Sequence, residues 1–106
     1  MGRITIASFR PKPGREGELL DVIRDRLPLL RRLGLATHRE PILMRSRSGT
    51  IIQVSEWASD EAINQAHHLP EVLALWERFD ACCSYVKLDT LEEAHEDFAT
   101  FDSIEG

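Results

Sequence analysis

The sequence predicts an α+β domain with the element order β-α-β-β-α-β and a short acidic extension. Three observations predict it. Alternating, β-branched stretches occupy residues 3–10, 50–57 and 84–88. An apolar period of three and four runs through residues 15–33 and again through 59–82. Clusters of Pro, Gly and Ser separate these stretches, as turns require. At 106 residues, 42% hydrophobic and 29% charged, the chain has the composition of one globular domain. That length supports a core without disulfide or metal staples.

Each element has a local cause. Residues 3–10 alternate and form the first strand, which Pro11-Lys12-Pro13-Gly14 ends in a turn. Leu19, Leu20, Ile23, Leu27 and Leu30 stack along the first helix, residues 15–33. Glu16 and Glu18 in its first turn and Arg31 and Arg32 in its last suit the macrodipole. Gly34 is its C-terminal cap, and Pro28 is expected to kink its last turns. Residues 36–47 read as extended, broken near Pro41. Ser48-Gly49 makes a hairpin into residues 50–57. Ser59 caps a helix to about His68, and Pro70 opens a second segment to about Cys82 with Val72, Trp76, Phe79 and Cys83 as its stripe. Residues 84–88 form the last strand. The tail is expected to be a short helix, with Leu91, Ala94 and Phe98 on one side. The expected organisation is a domain over residues 1–90 and an acidic tail over 91–106.

This order is the split βαβ, or ferredoxin-like, pattern, with both helices on one face of an antiparallel sheet. One set of strand positions is Ile4, Ile6, Ile52 and Val54. The other is Thr5, Ala7, Phe9, Ile51, Gln53, Ser55 and Trp57. A solvated face usually carries Lys, Glu and Thr. The second set is mixed aromatic, aliphatic and uncharged polar, and is expected to be covered by the sheet of a second copy. Burying Phe9, Ile51 and Trp57 there, at about 1.5–3 kcal/mol each, would favour a homodimer. Small residues such as Ala7 and Ser55 would leave a pocket.

Several function classes are disfavoured. Residues 1–53 carry 11 Lys/Arg and 5 Asp/Glu, whereas residues 54–106 carry 2 and 13, for a net charge of −5. The basic half interleaves acids with its arginines, as in Arg24-Asp25-Arg26, and the whole is acidic, unlike a nucleic-acid binder. The two halves are expected to attract each other, within a chain or across a dimer. No apolar run reaches the roughly 18 residues of a membrane span, and the first residues read as a strand rather than a secretory leader. A cytoplasmic location is expected. Cys82 and Cys83 are adjacent, which suits two small side chains near a helix end better than a vicinal redox pair. Glu92-x-x-His95 has the spacing of half a di-metal motif but occurs once, so no metal is expected. There is no Gly-rich phosphate loop and no G-x-S-x-G. Arg45 and Arg47 read either as a carboxylate clamp or as solvated charges that protect a sheet edge.

Two stretches resemble a known family. Residues 11–20, PKPGREGELL, resemble the entry to the first helix of dimeric α/β-barrel proteins. Glu56-Trp57, Ser59, Glu61-Ala62-Ile63 and Ala66-His67, followed by Pro70, resemble the third strand and second helix of the antibiotic biosynthesis monooxygenase family. The likeness covers residues 3–88. It implies a homodimer whose two sheets form a barrel, with a ligand cavity between sheet and helices or in the barrel mouth. Some members oxygenate aromatic polyketides without a cofactor, others degrade haem, and others are stress or isomerase-like proteins. The haem-degrading branch carries an Asn on the first strand and a Trp and a His on the second helix. This chain lacks that Asn and presents His67 before Trp76.

The candidate site follows. His67 matches the family's helix histidine and would accept a proton from an activated phenol, or else bond at a helix end. Trp57, Trp76 and Tyr85, with Phe79, would line an aromatic pocket, or else pack a core and a dimer contact. Gln53 and Ser55 would orient a substrate oxygen, as Tyr85 would, or else serve as interface polar groups. Two functions are expected: a cofactor-independent oxygenase of a small hydrophobic or aromatic molecule, or a non-catalytic ligand-binding or assembly module on the same dimer.

Overall fold

In the computed structural model, which describes residues 2–105, the middle strand of the sheet is β3 (Ile51–Trp57). On one side of it lie β1 (Arg3–Pro11) and then β4 (Cys83–Tyr85). On the other lie β2 (Ile42–Arg45) and then β5 (Asp102–Ser103). The order is β4-β1-β3-β2-β5, and every pairing is antiparallel. Three helices, α1 (Glu16–Arg32), α2 (Asp60–Ala66) and α3 (Pro70–Cys82), pack on one face.

The punctuation works as its chemistry requires. Gly34 sits at φ +75° after α1. The Leu35 N–H bonds the Leu30 carbonyl at 2.8 Å and the Gly34 N–H that of Arg31 at 3.0 Å, a Schellman closure. α1 runs as one helix across Pro28. The Ser59 hydroxyl accepts from the Ala62 N–H at 3.0 Å, and Pro70 opens α3. Gly49, at φ +92°, completes the β2–β3 hairpin, where Ser46 N–H bonds Thr50 O at 2.8 Å. Of the extended stretch 36–47, only β2 and an isolated Ala36–Trp57 bridge pair with the sheet. The adjacent Cys82 and Cys83 are free and buried, and burial pushes the Cys83 thiol up to about 12, so it stays protonated.

The sheet faces are the reverse of the expectation. Phe9, Ile51 and Trp57 lie beneath the chain's own helices, in two clusters with Leu19, Ile23, Phe79, Leu30 and Val72. The aliphatic set looks outward: Ile4, Ile6 and Ile42 are 56%, 48% and 58% exposed. Period-two alternation says which residues share a face but not which face meets the helices. Two contacts decide it here. Phe9 stacks on Phe79 with ring centroids 4.9 Å apart and planes 8° apart. Arg26 on α1 finds its acceptors, Gln53 and Ser55, on the same face.

The tail also departs from the expected helix. It forms two 3-10 turns, Leu88–Thr90 and Glu92–His95, and then β5. Leu91 is buried, whereas Phe98 is exposed. Ser8 and Ile52 share the open face yet are buried, at the end where the first 3-10 turn packs on β1 and Glu93 reaches the hairpin. Glu93 is the tether. Its carboxylate accepts from the Arg47 backbone N–H and from the Ser46 hydroxyl, each at 2.8 Å, with the Arg47 guanidinium 3.5 Å away. The Arg47 N–H, foremost, holds this carboxyl below its usual range.

A carboxyl whose folded pKa is lowered stabilises above its ordinary pKa and loses that contribution as pH falls through the lowered value. Hydrogen exchange should read this at Ile104, whose N–H bonds Leu43 O at 2.9 Å. Its protection is expected to fall on acidification before that of the core. In Glu93→Gln it should be reduced already at neutral pH. Unchanged protection in the variant would contradict the tether.

Among the described residues, no helix is long and apolar enough to cross a membrane.

Candidate functional site

The inner sheet face and the helices do not close completely on each other. β1 places Phe9 in the core but offers only Thr5 and Ala7 further along, and a cavity of about 430 Å³ remains. Its walls come from every layer: Thr5, Ala7 and Phe9 from β1, Trp57 from β3, Trp76, Phe79 and Asp80 from α3, and Tyr85 from β4. The Tyr85 ring lies 5.6 Å from that of Phe9 and 6.2 Å from that of Phe79. The volume falls in the range of small-molecule pockets, roughly 300–1,000 Å³, and five aromatic rings dominate the lining.

One cation enters this apolar space. Arg26, from α1, lines the cavity and is only 6% exposed. Its Nη1 donates to Gln53 Oε1 at 2.9 Å and to Ser55 Oγ at 3.1 Å. Its guanidinium carbon sits 5.5 Å from the Trp57 ring centroid, within cation–π range. Burial pulls the guanidinium down to about 10, so it remains charged at neutral pH. Tyr85 stands at the rim with 54% of its surface exposed, and partial desolvation pushes its phenol up to about 12, so Tyr85 is a neutral donor.

The structure brings together Trp57, Trp76 and Tyr85 as pocket walls. It places Gln53 and Ser55 behind the wall: their side chains hold Arg26 and so position it, rather than orienting a substrate oxygen themselves. His67 lies outside. It follows α2 on the exposed surface, its ring edge-on to Trp76 with centroids 4.9 Å apart, and it does not line the cavity. A helix only seven residues long ends one position before His67, leaving that side chain at the surface. The acidic group on the cavity wall is Asp80, itself exposed.

The sequence does not single out Arg26 as a site residue, because it stands in the interleaved charges Arg24-Asp25-Arg26. The helical period held the signal. Arg26 lies three residues after Ile23 and four before Leu30, on the buried stripe of α1. The arginines of the hairpin are used structurally: Arg45 pairs with Glu16 at 2.9 Å, and Arg47 with Glu93 and Glu96. His95 Nε2 lies 3.0 Å from the Asp89 carbonyl oxygen. Among the described residues, no three His, Cys, Asp or Glu side chains cluster to hold a metal ion.

Fold and cavity together define an antiparallel α+β protein with an aromatic pocket between its sheet and its helices. Comparison with protein-family models, with curated proteins and with solved structures finds no match to this chain.

Proposed function

We propose that this chain is one half of a ferredoxin-like homodimer that binds a flat, hydrophobic small molecule between its sheet and its helices. The observation that carries the ligand reading is the cavity, with its five aromatic rings. Shape and lining favour a planar ring system, since aromatic side chains grip rings by stacked and edge contacts. The ferredoxin-like reading is supported by the β4-β1-β3-β2 order with helices on one face.

The homodimer is supported by the outward face. Ile6, Val54 and Ile42 stand side by side on one rung across three strands, and Ile4 follows on the next. This continuous aliphatic row, exposed at its isoleucines and part-buried at Val54, is the surface that a second sheet would cover.

Calorimetric titration with 2-naphthoate tests the pocket. One molecule per chain is expected to bind, and Trp76→Ala, at a half-buried position, should weaken it at least about tenfold. Absence of binding by 2-naphthoate and by its neutral amide alike would contradict the reading.

Oxygenase chemistry, as in the antibiotic biosynthesis monooxygenases that the sequence resembles, is the second reading. One observation favours it: Asp80 places a carboxylate on the cavity wall, where His67 does not reach. In that reading Asp80 takes one proton from a substrate CH₂ group, and the carbanion adds O₂ to give a hydroperoxide. Loss of the second C–H proton then breaks the O–O bond, leaving a C=O on the substrate, and the departing hydroxide takes up a proton and leaves as water. Oxygen uptake with a reduced aromatic probe, lost in Asp80→Asn, separates this from binding alone.

A further inference from the structure

We propose that the pocket takes its ligand as a planar aromatic oxyanion, a carboxylate or an ionised phenol or enol, with Arg26 as the group that recognises the charge. The inference rests on the reading of the cavity as a ligand pocket and adds the charge of what fills it.

The argument begins from the cost of a buried cation. A guanidinium taken out of water needs compensation from an opposite charge or a full set of acceptors. Arg3, Arg15, Arg39, Arg45, Arg47 and Arg78 each reach a carboxylate. Arg26 is the most deeply buried of the chain's arginines, yet it forms no ion pair among the described residues. Its two acceptors, Gln53 and Ser55, are both neutral, so the site keeps its full positive charge. Both are also taken up by Nη1. Nε and Nη2 have no acceptor among the described residues, although their side chain lines the cavity.

An arginine needed only for packing would be neutralised locally. Here one nitrogen is anchored and the Nε/Nη2 edge is left, and that edge is a two-donor fork matched to a pair of oxygens. Trp57, which lies under the guanidinium, also lines the cavity, so an aromatic ligand can contact its indole beside the charge. The Tyr85 hydroxyl adds a neutral donor to the lining. Asp80 lines the same cavity as an exposed carboxylate and does not pair with Arg26. Its charge disfavours an oxyanion near α3, so the anionic end of the ligand points toward Arg26.

The test compares 2-naphthoate with its neutral isostere 2-naphthamide by calorimetry on the full chain, and follows 4-nitrophenol by its visible spectrum. In the wild-type protein the acid is expected to bind roughly 10- to 100-fold more tightly than the amide, the scale of a charge-assisted pair. Growth of the nitrophenolate band on binding at fixed pH would assign ionised phenols to the site, and its absence beside tight naphthoate binding would assign carboxylates. Arg26→Met should bring the acid down to the affinity of the amide, while Arg26→Lys should keep part of the preference. The wild-type comparison stands even if Arg26→Met does not fold. Equal binding of acid and amide, with no growth of the nitrophenolate band, would overturn the proposal and leave the pocket intact. Failure of all three probes to bind would overturn both.

Discussion

Phe79→Ala is expected to cost about 3–5 kcal/mol of folding stability, which places it among the costliest single substitutions for this chain. Phe79 is fully buried on α3 and stacks on Phe9 of β1, so it joins the helix layer to the sheet. Truncation removes the stacked ring and extends an existing cavity that the surrounding strands and helices cannot close. Total stability for a domain of this size is about 5–15 kcal/mol, so the loss takes a large share. Urea unfolding should show a much lower midpoint with an unchanged slope. A loss below about 1 kcal/mol would mean that the cavity relaxes freely and that Phe79 is not a wall. Phe79→Leu, which keeps most of the apolar volume, should cost distinctly less.

Ile6→Glu is expected to turn a two-chain particle into a single chain while leaving the fold intact. The wild-type particle should scatter as about twice 12.1 kDa. Ile6 lies on the outward face, paired with Val54, which is paired in turn with Ile42. Two-fold symmetry places the substitution in the interface twice. Each lost isoleucine contact is worth about 1.5–3 kcal/mol, and each buried, unpaired carboxylate adds a further penalty. The dissociation constant should rise at least about a thousandfold. Helical circular dichroism should not change, because α1, α2 and α3 all pack on the opposite face. A wild-type particle of one chain at micromolar concentration would remove the homodimer and leave the pocket, which a single chain builds by itself.

Element order was legible in the sequence because periodicity and turn chemistry are local. Ser59 and Gly34 act through bonds within a few residues and Pro70 through its fixed backbone angle, and each does in the fold what its chemistry suggests. Orientation was not legible. Alternation in β1 and β3 groups Phe9 with Ile51 and Ile6 with Val54, but a two-residue period is symmetric between faces. Only the pairing of Phe9 with Phe79, and of Arg26 with Gln53 and Ser55, breaks that symmetry. The tail conformation is not local either. Leu91, Ala94 and Phe98 have helical spacing, yet Glu93 is drawn to Ser46 and Arg47, more than forty residues away in sequence. In the site, aromatic residues were the readable part, since Trp57, Trp76 and Tyr85 are large apolar groups wherever they fall. His67 is a candidate by resemblance and by the chemistry of its ring, neither of which fixes its placement, and the short α2 leaves it on the surface. Arg26 shows the opposite failure: it lies on the apolar stripe of α1, but its charged neighbours in sequence disguise it.

The location of the bound probe tests the pocket most directly. The chain has two tryptophans, and both line the cavity, so the two indole N–H signals in a nitrogen–proton correlation spectrum report on it alone. Adding 2-naphthoate is expected to shift both signals along one saturable curve. Binding that moves backbone signals elsewhere while both indoles stay fixed would put the ligand on another surface and contradict the assignment.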